Sequence, residues 1–397
     1  MTGGATSPID PSSTGRPASE TRFFVERLTL TNFRNYASAR LNLDARPVVL
    51  VGENGAGKTS VLEAVSLLGP GQGLRSRPYK ELARKGGPGG WAIAATISAN
   101  GEPIDIGTGF GLTPGEESTG RSVRIAGKDT STASLADYVK PVWLIPAMDG
   151  LFTGPASERR RFLDRATLTI DPAMRVPRAR FERAMRQRNR LFQMHETSPA
   201  LFAGLEEQMA EAGTAIAAAR LDALARLTAL IETSKADLIR DRFPWASLEL
   251  AGTLEAALSE HSAVEVEDFY RARLSEMRER DRAAFRALEG PHLSDLVVFH
   301  GPSNREAELC SSGEQKALLL GLILAQAELI KTQDGAAPLI LLDEVAAHLD
   351  AARREALFAE LLRLGSQAWM TGTDEALFAP ILEQAQLVQI ADGTLQN

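Results

Sequence analysis

A short apolar run, Pro47 to Val51, leads straight into Gly-Glu-Asn-Gly-Ala-Gly-Lys-Thr-Ser, Gly52 to Ser60, and then into the apolar-rich Ser-Val-Leu-Glu-Ala-Val-Ser-Leu-Leu. A buried strand, a glycine loop and a helix in that order constrain the fold more than any other stretch, because they form the context a phosphate-binding loop requires. Gly52 and Gly57 allow the tight turn that points successive backbone N–H groups at phosphate oxygens. Glu53, Asn54, Gly55 and Ala56 complete the loop. Lys58 is spaced to reach β- and γ-phosphates and Thr59 Oγ to ligate Mg²⁺, while the helix from Ser60 brings its positive end to the phosphates. The same letters can occur in an ordinary glycine-rich turn, and the flanking strand and helix separate the two readings.

A second anchor lies near the other end of the chain. Leu339 to Leu342 run into Asp343 and Glu344. A buried strand delivering one carboxylate to Mg²⁺ and the next to an attacking water suits metal-assisted phosphoryl chemistry. The alternative is a strand that merely ends in solvated acids. Ahead of these acids, Cys-Ser-Ser-Gly-Glu-Gln (Cys310 to Gln315) opens a long apolar segment, and His-Leu-Asp (His348 to Asp350) follows them. Taken alone, Ser312 and Gly313 read as a helix cap; a hydroxyl and free N–H groups at a helix start also make an anion site.

The formal charge is −7, so nucleic acid could be held only by a local basic patch. The single cysteine, Cys310, excludes an internal disulfide. The longest apolar stretch, Ala317 to Ile330, contains Gln326 and Glu328 and falls short of the ~20 residues of a membrane span. Residues 1–22, rich in Gly, Ser, Thr and Pro, have neither the basic start nor the apolar run of a secretory signal and are expected to be a disordered tail.

Apolar–polar alternation predicts a strand from Phe23, with Ala39 to Ala45 able to pair with it. Trp91 to Phe110 reads as a hairpin turning at Asn100-Gly101, Arg121 to Thr130 as a further strand pair, and Pro141 to Pro146 as one more strand. From Gly154 the period becomes helical through Ser157–Leu168, Met174–His195, Leu201–Phe243 and Val266–Gly290. Asp295 to His300, Pro338 to Leu342, Gln367 to Gly372 and Gln386 to Leu395 then read as strands. The expected organisation is a tail (1–22), the first half of an α/β head (23–153), a helical insertion (154–289) and the second half of the head (290–397).

Gly-Glu-Asn-Gly-Ala-Gly-Lys-Thr, Ser-Ser-Gly-Glu-Gln, Leu-Leu-Asp-Glu and His-Leu-Asp, in this order, resemble an ABC-type ATPase head. Leu28–Tyr36 (LTLTNFRNY), Gly154–Arg165 (GPASERRRFLDR), Arg186–Phe192 (RQRNRLF) and Gly290–Leu296 (GPHLSDL) narrow the resemblance to the bacterial RecF family of DNA replication and repair proteins. It covers nearly everything from Phe23 to the C-terminus. The resemblance implies a P-loop NTPase sheet with an antiparallel β subdomain and an inserted helical lobe. It implies ATP and Mg²⁺ as cofactors, with Asp343 and Thr59 on the metal and Glu344 polarising the attacking water. Ser312, Gly313 and Gln315 of one subunit would meet the nucleotide of a second, with Asp350 at the dimer contact. The implied activity is a slow, ATP-switched dimer that binds DNA at gaps and single-/double-strand junctions and helps RecR and RecO load recombinase in the cytoplasm, at the nucleoid.

Three departures stand out. ABC heads place a histidine after the strand that follows the paired acids, where Thr371 and Thr373 stand here; the usual Gln loop has only Gln72 or Asp149 as candidates; and Leu293 follows Gly-Pro-His where the family has Arg.

Between Glu158 and Arg190 there are eleven arginines against four carboxylates. Arg183, Arg186 and Arg190 share a helical face, and Arg159, Arg160 and Arg161 sit together at another helix start. These are either an ion-paired, solvated face or a backbone-reading DNA surface. Arg34, after the first strand, is either a polar turn residue or a nucleotide contact. Other ATPase classes remain in view. A transporter subunit would have a short insertion, SMC-type heads need long heptad arms that this chain lacks, and a small-molecule kinase leaves Ser-Ser-Gly-Glu-Gln unexplained.

Overall fold

The structure is a computed structural model that describes residues 23–99, 101–111, 120–234, 243–391 and 393–396. The expected tail (1–22) and the Asn100 half of the predicted hairpin turn lie outside these residues.

The first strand, Phe23–Phe33, shows how a sequence pattern becomes a register. Val25, Leu28 and Leu30 are its inward residues, and the three-residue step from Val25 to Leu28 breaks strict alternation. A bulge between Val25 and Arg27, against strand Trp91–Ala99, absorbs the extra residue and keeps all three on one face. Tyr36–Asn42 pairs on the other side, and Glu102–Phe110, Ser122–Ile125 and Lys128–Thr130 complete a six-stranded antiparallel sheet.

The second six-stranded sheet runs Thr394–Gln396, Gln386–Ala391, Val48–Val51, Ala368–Gly372, Ile340–Leu342, Val142–Leu144. Every pairing is parallel except that of Thr394–Gln396. Strands buried on both faces read as uninterrupted apolar runs, and Val48, Val49 and Leu50 are fully buried here. The order places one strand, Ala368–Gly372, between the strand that feeds the glycine loop and the strand that ends in the paired acids. Ligands of open parallel sheets sit beyond the strands' carboxyl ends, where both motifs lie.

Between the sheet's parts the chain forms helices Ala156–Ile170, Arg175–Gln193, Pro199–Ser234, Ala263–Glu276 and Arg278–Ala284. The periodic segment Val266–Gly290 is not one helix: it breaks at Met277, and Phe285 ends it in the left-handed region at φ 54°. Ala246–Ala251, in a stretch without helical period, is a strand that pairs with Asp295–His300 in a three-stranded sheet.

Helix Pro199–Ser234 has 36 residues, about 54 Å at 1.5 Å per residue. Its Leu227 and Ile231 belong to the main core, while Met209 and Ile216 belong to a second core with Phe181, Tyr270 and Leu274. One rod therefore ties the insertion to the sheet. Among the described residues no helix is long and apolar enough to cross a membrane.

Beside the second core lies a buried charge cluster. Arg188, with no exposed surface, reaches Glu206 at 3.1 Å, Asp281 at 2.6 Å and the Leu274 carbonyl at 2.8 Å, and Arg278 closes on Glu206 from outside. Removing one member of such a cluster leaves desolvated carboxylates without a counter-charge. Arg188→Leu is expected to destabilise the protein by about 3–5 kcal/mol, read as a lower urea midpoint.

Candidate functional site

Strand Val48–Val51 ends at Gly52, where a Cβ would lie 2.2 Å from the Ile390 carbonyl oxygen of the neighbouring strand, so only glycine fits. Gly57 has φ 119°, and a Cβ there would meet the Tyr36 hydroxyl at 2.6 Å. The helix Lys58–Ser66 starts on Gly57 without a side-chain cap, which leaves its first N–H groups facing the loop. Glu53, Asn54 and Gly55 are exposed at the loop's crest, with Ala56 half-buried behind them.

Lys58 is 5 % exposed, and its ammonium donates to the Gly52 and Glu53 carbonyls at 2.6 and 2.8 Å. Burial lowers its pKa below the ordinary lysine value, and the Glu344 and Asp343 carboxylates oppose that shift. A desolvated ammonium held only by carbonyls favours a polyanion beside it.

Asp343 is the point where the distant segments meet. Its Oδ1 accepts from the Thr59 hydroxyl at 2.9 Å and from the Thr371 hydroxyl at 2.8 Å. Thr371 in turn accepts from the Glu344 backbone N–H at 2.8 Å. Glu344 sits at φ 56°, a conformation uncommon for a non-glycine residue. That backbone is held by Thr371 on the middle strand, and strained residues so held cluster at functional sites. Thr371 thus spans both acids, whereas Thr373 is exposed past the strand end.

The donors suit a hard divalent cation: a hydroxyl and a carboxylate oxygen that already converge, in a protein with oxygen ligands to spare. Among the described residues no cluster of three or more His, Cys, Asp or Glu forms a metal cage. A Mg²⁺ at Thr59 and Asp343 would therefore complete its shell with water and substrate oxygens, the usual arrangement for this ion.

Helix Ser312–Asp334 begins with a capping box made by Ser311, not Ser312. The Ser311 backbone N–H and hydroxyl both donate to Glu314 Oε2 at 2.8 Å, and these bonds hold the Glu314 carboxyl below its usual range. The cap is thus supplied, and the Ser312 hydroxyl has no hydrogen-bond partner among the described residues. Gly313 faces open space, with nothing within 4 Å of an added Cβ. Gln315, expected at the nucleotide, is instead buried: its amide donates to the Ala307, Glu308 and Cys310 carbonyls at 2.9, 3.2 and 3.1 Å and fixes the loop before the helix. Asp350 caps helix Ala351–Leu364 by accepting from the Arg353 N–H at 2.9 Å, and it remains exposed.

Of the arginines, two have other employment. Arg159 pairs with Asp295 through two bonds of 2.9 and 2.7 Å and also donates to the Phe152 and Gly154 carbonyls; Arg160 donates to the Ser294 carbonyl at 2.7 Å. Both brace helix Ala156–Ile170 against strand Asp295–His300. Arg183, Arg186 and Arg190 are exposed along one face of helix Arg175–Gln193, with only a 3.7 Å contact from Arg186 to Glu182 among their described ion pairs. The candidate Asp149 pairs with Lys316 at 2.8 Å, and Gln72 lies in the loop after the first helix, beside a different cavity.

Two loop supports were missed in the sequence. The Asn35 amide donates to the Gly55 carbonyl at 3.1 Å while its Oδ1 accepts from Ser60, and the Tyr36 hydroxyl donates to the Gly57 carbonyl. Their signal was proximity to the first strand in Asn-Phe-Arg-Asn-Tyr, but nothing local shows that this turn lies over the loop.

Residues 24–394 match the family model for the RecF/RecN/SMC N-terminal domain. A DNA replication and repair protein RecF from Rhizobium leguminosarum bv. trifolii (strain WSM2304) is 50 % identical over 94 % of this chain and 98 % of its own length. The RecF protein of Rhizobium johnstonii is 51 % identical over 93 % of this chain and 97 % of its own length. A solved structure described as the recombination mediator protein RecF–ATPrS in the RecFOR pathway superposes with a TM-score of 0.82 at 21 % identity, covering 95 % of this chain and 99 % of that one. The fold is that of an ATPase head with an inserted helical lobe.

Arg34 is the residue whose surroundings differ most from a nucleotide contact. Its guanidinium grips Glu63, 1 % exposed on the first helix, at 2.6 and 2.7 Å and donates to the Glu81 carbonyl at 3.1 Å. Arg34→Ala is expected to lower the denaturation midpoint without any nucleotide present, by the equivalent of about 3–5 kcal/mol for an orphaned buried charge. An unchanged midpoint with weakened nucleotide binding would return Arg34 to the nucleotide.

Proposed function

The chain belongs to the RecF family of DNA replication and repair proteins, and we propose that it works as an ATP-switched dimer that holds DNA at gaps and single-/double-strand junctions. The observation that carries this reading is the convergence of Thr59 and Thr371 on Asp343 Oδ1, which joins the phosphate loop to the paired acids.

In this reading the loop N–H groups and Lys58 bind the β- and γ-phosphates, and Lys58 exchanges its loop carbonyls for phosphate oxygens. Thr59 and Asp343 hold Mg²⁺, which supplies charge neutralisation at the phosphates. Glu344 accepts the proton of the water that attacks the γ-phosphorus, and Thr371 fixes the backbone that aims it. The open start of helix Ser312–Asp334 serves the nucleotide of a second copy, with Ser312 and Gly313 as its donors and exposed Asp350 at the contact between copies. The γ-phosphate then decides whether the two copies stay closed.

Arg183, Arg186 and Arg190, exposed along one helix face, would meet a DNA backbone, so binding is sequence-independent and salt-sensitive. Arg159 and Arg160 act indirectly, by bracing the helix they stand on. RecR- and RecO-type mediators are the proposed partners, in line with the pathway to which the similar structure is assigned. The proposed setting is the cytoplasm, on nucleoid DNA.

Light scattering with and without ATP and Mg²⁺, repeated with a gapped duplex, tests the model. ATP is expected to convert monomer to dimer, and the dimer to retain the DNA. Lys58→Met is expected to abolish both. Glu344→Gln is expected to slow hydrolysis by roughly 10²–10⁴-fold, the usual contribution of a general base, and to accumulate dimer; a variant that stays monomeric at saturating ATP would sink the two-copy site.

A further inference from the structure

Where the insertion meets the edge of the parallel sheet there is a second cavity, of about 550 Å³, apart from the phosphate loop. That volume lies within the range of small-molecule sites. Its walls come from edge strand Val142–Leu144, the loop around Gln72, helix Ser312–Asp334, and the insertion helices Ala156–Ile170 and Arg175–Gln193. Lys140, Arg161, Arg165, Arg175 and Arg178 line it, and among the described residues no carboxylate does.

Three of these cations are neutralised from outside the cavity. Lys140 pairs with Asp334 at 2.7 Å, Arg161 with Glu158 at 2.8 Å and Arg178 with Glu182 at 3.1 Å. The other two make no direct ion pair among the described residues, although Asp137 acts on Arg175, and Glu158 and Asp164 on Arg165, from farther off. Arg165 lies over the Trp143 ring at 5.1 Å, and its one side-chain hydrogen bond among the described residues is to the Met148 sulfur at 4.0 Å. Arg175 donates from Nη1 to the Ala133 carbonyl at 2.7 Å, while its Nη2 is buried with no acceptor. Trp143 Nε1 is buried and unpaired as well. Burial pushes the Arg165 guanidinium down to about 10 and lowers Arg175 too.

Buried donors without acceptors are costly, and two of them, Arg175 Nη2 and Trp143 Nε1, stand at this one cavity. Two guanidinium groups with no carboxylate in direct contact suit a dianion. Guanidinium forks fit tetrahedral phosphate oxygens. Phe162, Leu168 and Ile323 give the rest of the cavity an apolar wall, too large for inorganic phosphate alone. We propose that this cavity binds a small phosphate monoester with an apolar or aromatic body, its phosphate between Arg165 and Arg175.

The test is calorimetric titration of the full chain with phenyl phosphate, the phosphate loop first saturated with Mg-ADP. One molecule is expected to bind per chain, and phenol is expected not to. Arg165→Gln and Arg175→Gln are each expected to weaken binding about tenfold or more, as loss of a charge-assisted hydrogen bond does. Arg175→Lys and Trp143→Phe, milder changes, guard against misfolding and are expected to weaken it less. Lys58→Ala is expected to keep it. Adenosine monophosphate and a 5′-phosphorylated hairpin oligonucleotide, each against its unphosphorylated form, then compete for the site. Displacement by the first alone identifies a free metabolite, and displacement by the second a strand end; both support a phosphate monoester site. No binding at millimolar phenyl phosphate, binding unchanged in both Arg→Gln variants, or binding lost with Lys58→Ala would overturn the proposal.

Discussion

One carboxylate oxygen, Asp343 Oδ1, holds the ends of two segments that stand at opposite ends of the chain. It accepts from Thr59, at the start of the first helix, and from Thr371, on the strand between. Those bonds can form only if Val48–Val51, Ala368–Gly372 and Ile340–Leu342 lie side by side, parallel and in register. Parallel neighbours need crossover connections, and here the crossing chain includes the whole insertion. The entropic cost of so long a closure grows only logarithmically with length, so a lobe can be inserted between the two halves of a site without much penalty in stability.

The insertion is not a loose appendage. Helix Pro199–Ser234 contributes to both cores, and Arg159 binds Asp295 on the first strand after the last inserted helix. Arg220 adds a further tie, joining Asp164 at 2.7 Å and the Pro291 carbonyl at 2.6 Å. Helix Ser312–Asp334 is buried along most of its length and open at its two ends. Of the candidate site residues, the loop crest, the start of this helix, Asp350 and one arginine face are those that face outward.

Much of this was legible because the physics is local. An apolar run that ends in a glycine loop, or in paired acids, reads as a strand that leaves the core at its last residue, and Val48–Val51 and Ile340–Leu342 are such strands. The alternating strands and the helical periods of the insertion were equally plain. What stayed hidden depended on partners far away in sequence. Arg34 reads as either a turn residue or a nucleotide contact, and its partner, Glu63, sits inside a segment that reads simply as apolar helix. Arg159 and Arg160 joined a sequence-local basic cluster, yet their acceptors come from residues 294 and 295. Gln315 belonged to a motif, and its amide turned back to seal a loop. Ala246–Ala251 is too short to announce itself without Asp295–His300 beside it. The transporter reading required a short insertion, which the helices from Ala156 to Ala284 exclude.

Thr371 shows how the one departure at the site's centre is accommodated. A side chain bridging the paired acids must donate to a carboxylate and accept from a backbone N–H at once, and a hydroxyl can do both. A neutral imidazole can do so only in one tautomer, and it loses its acceptor when protonated. With threonine at this point, the Asp343 carboxylate and the strained Glu344 backbone are held by a group that does not titrate near neutral pH. The geometry of the acids is then independent of protonation at the bridge.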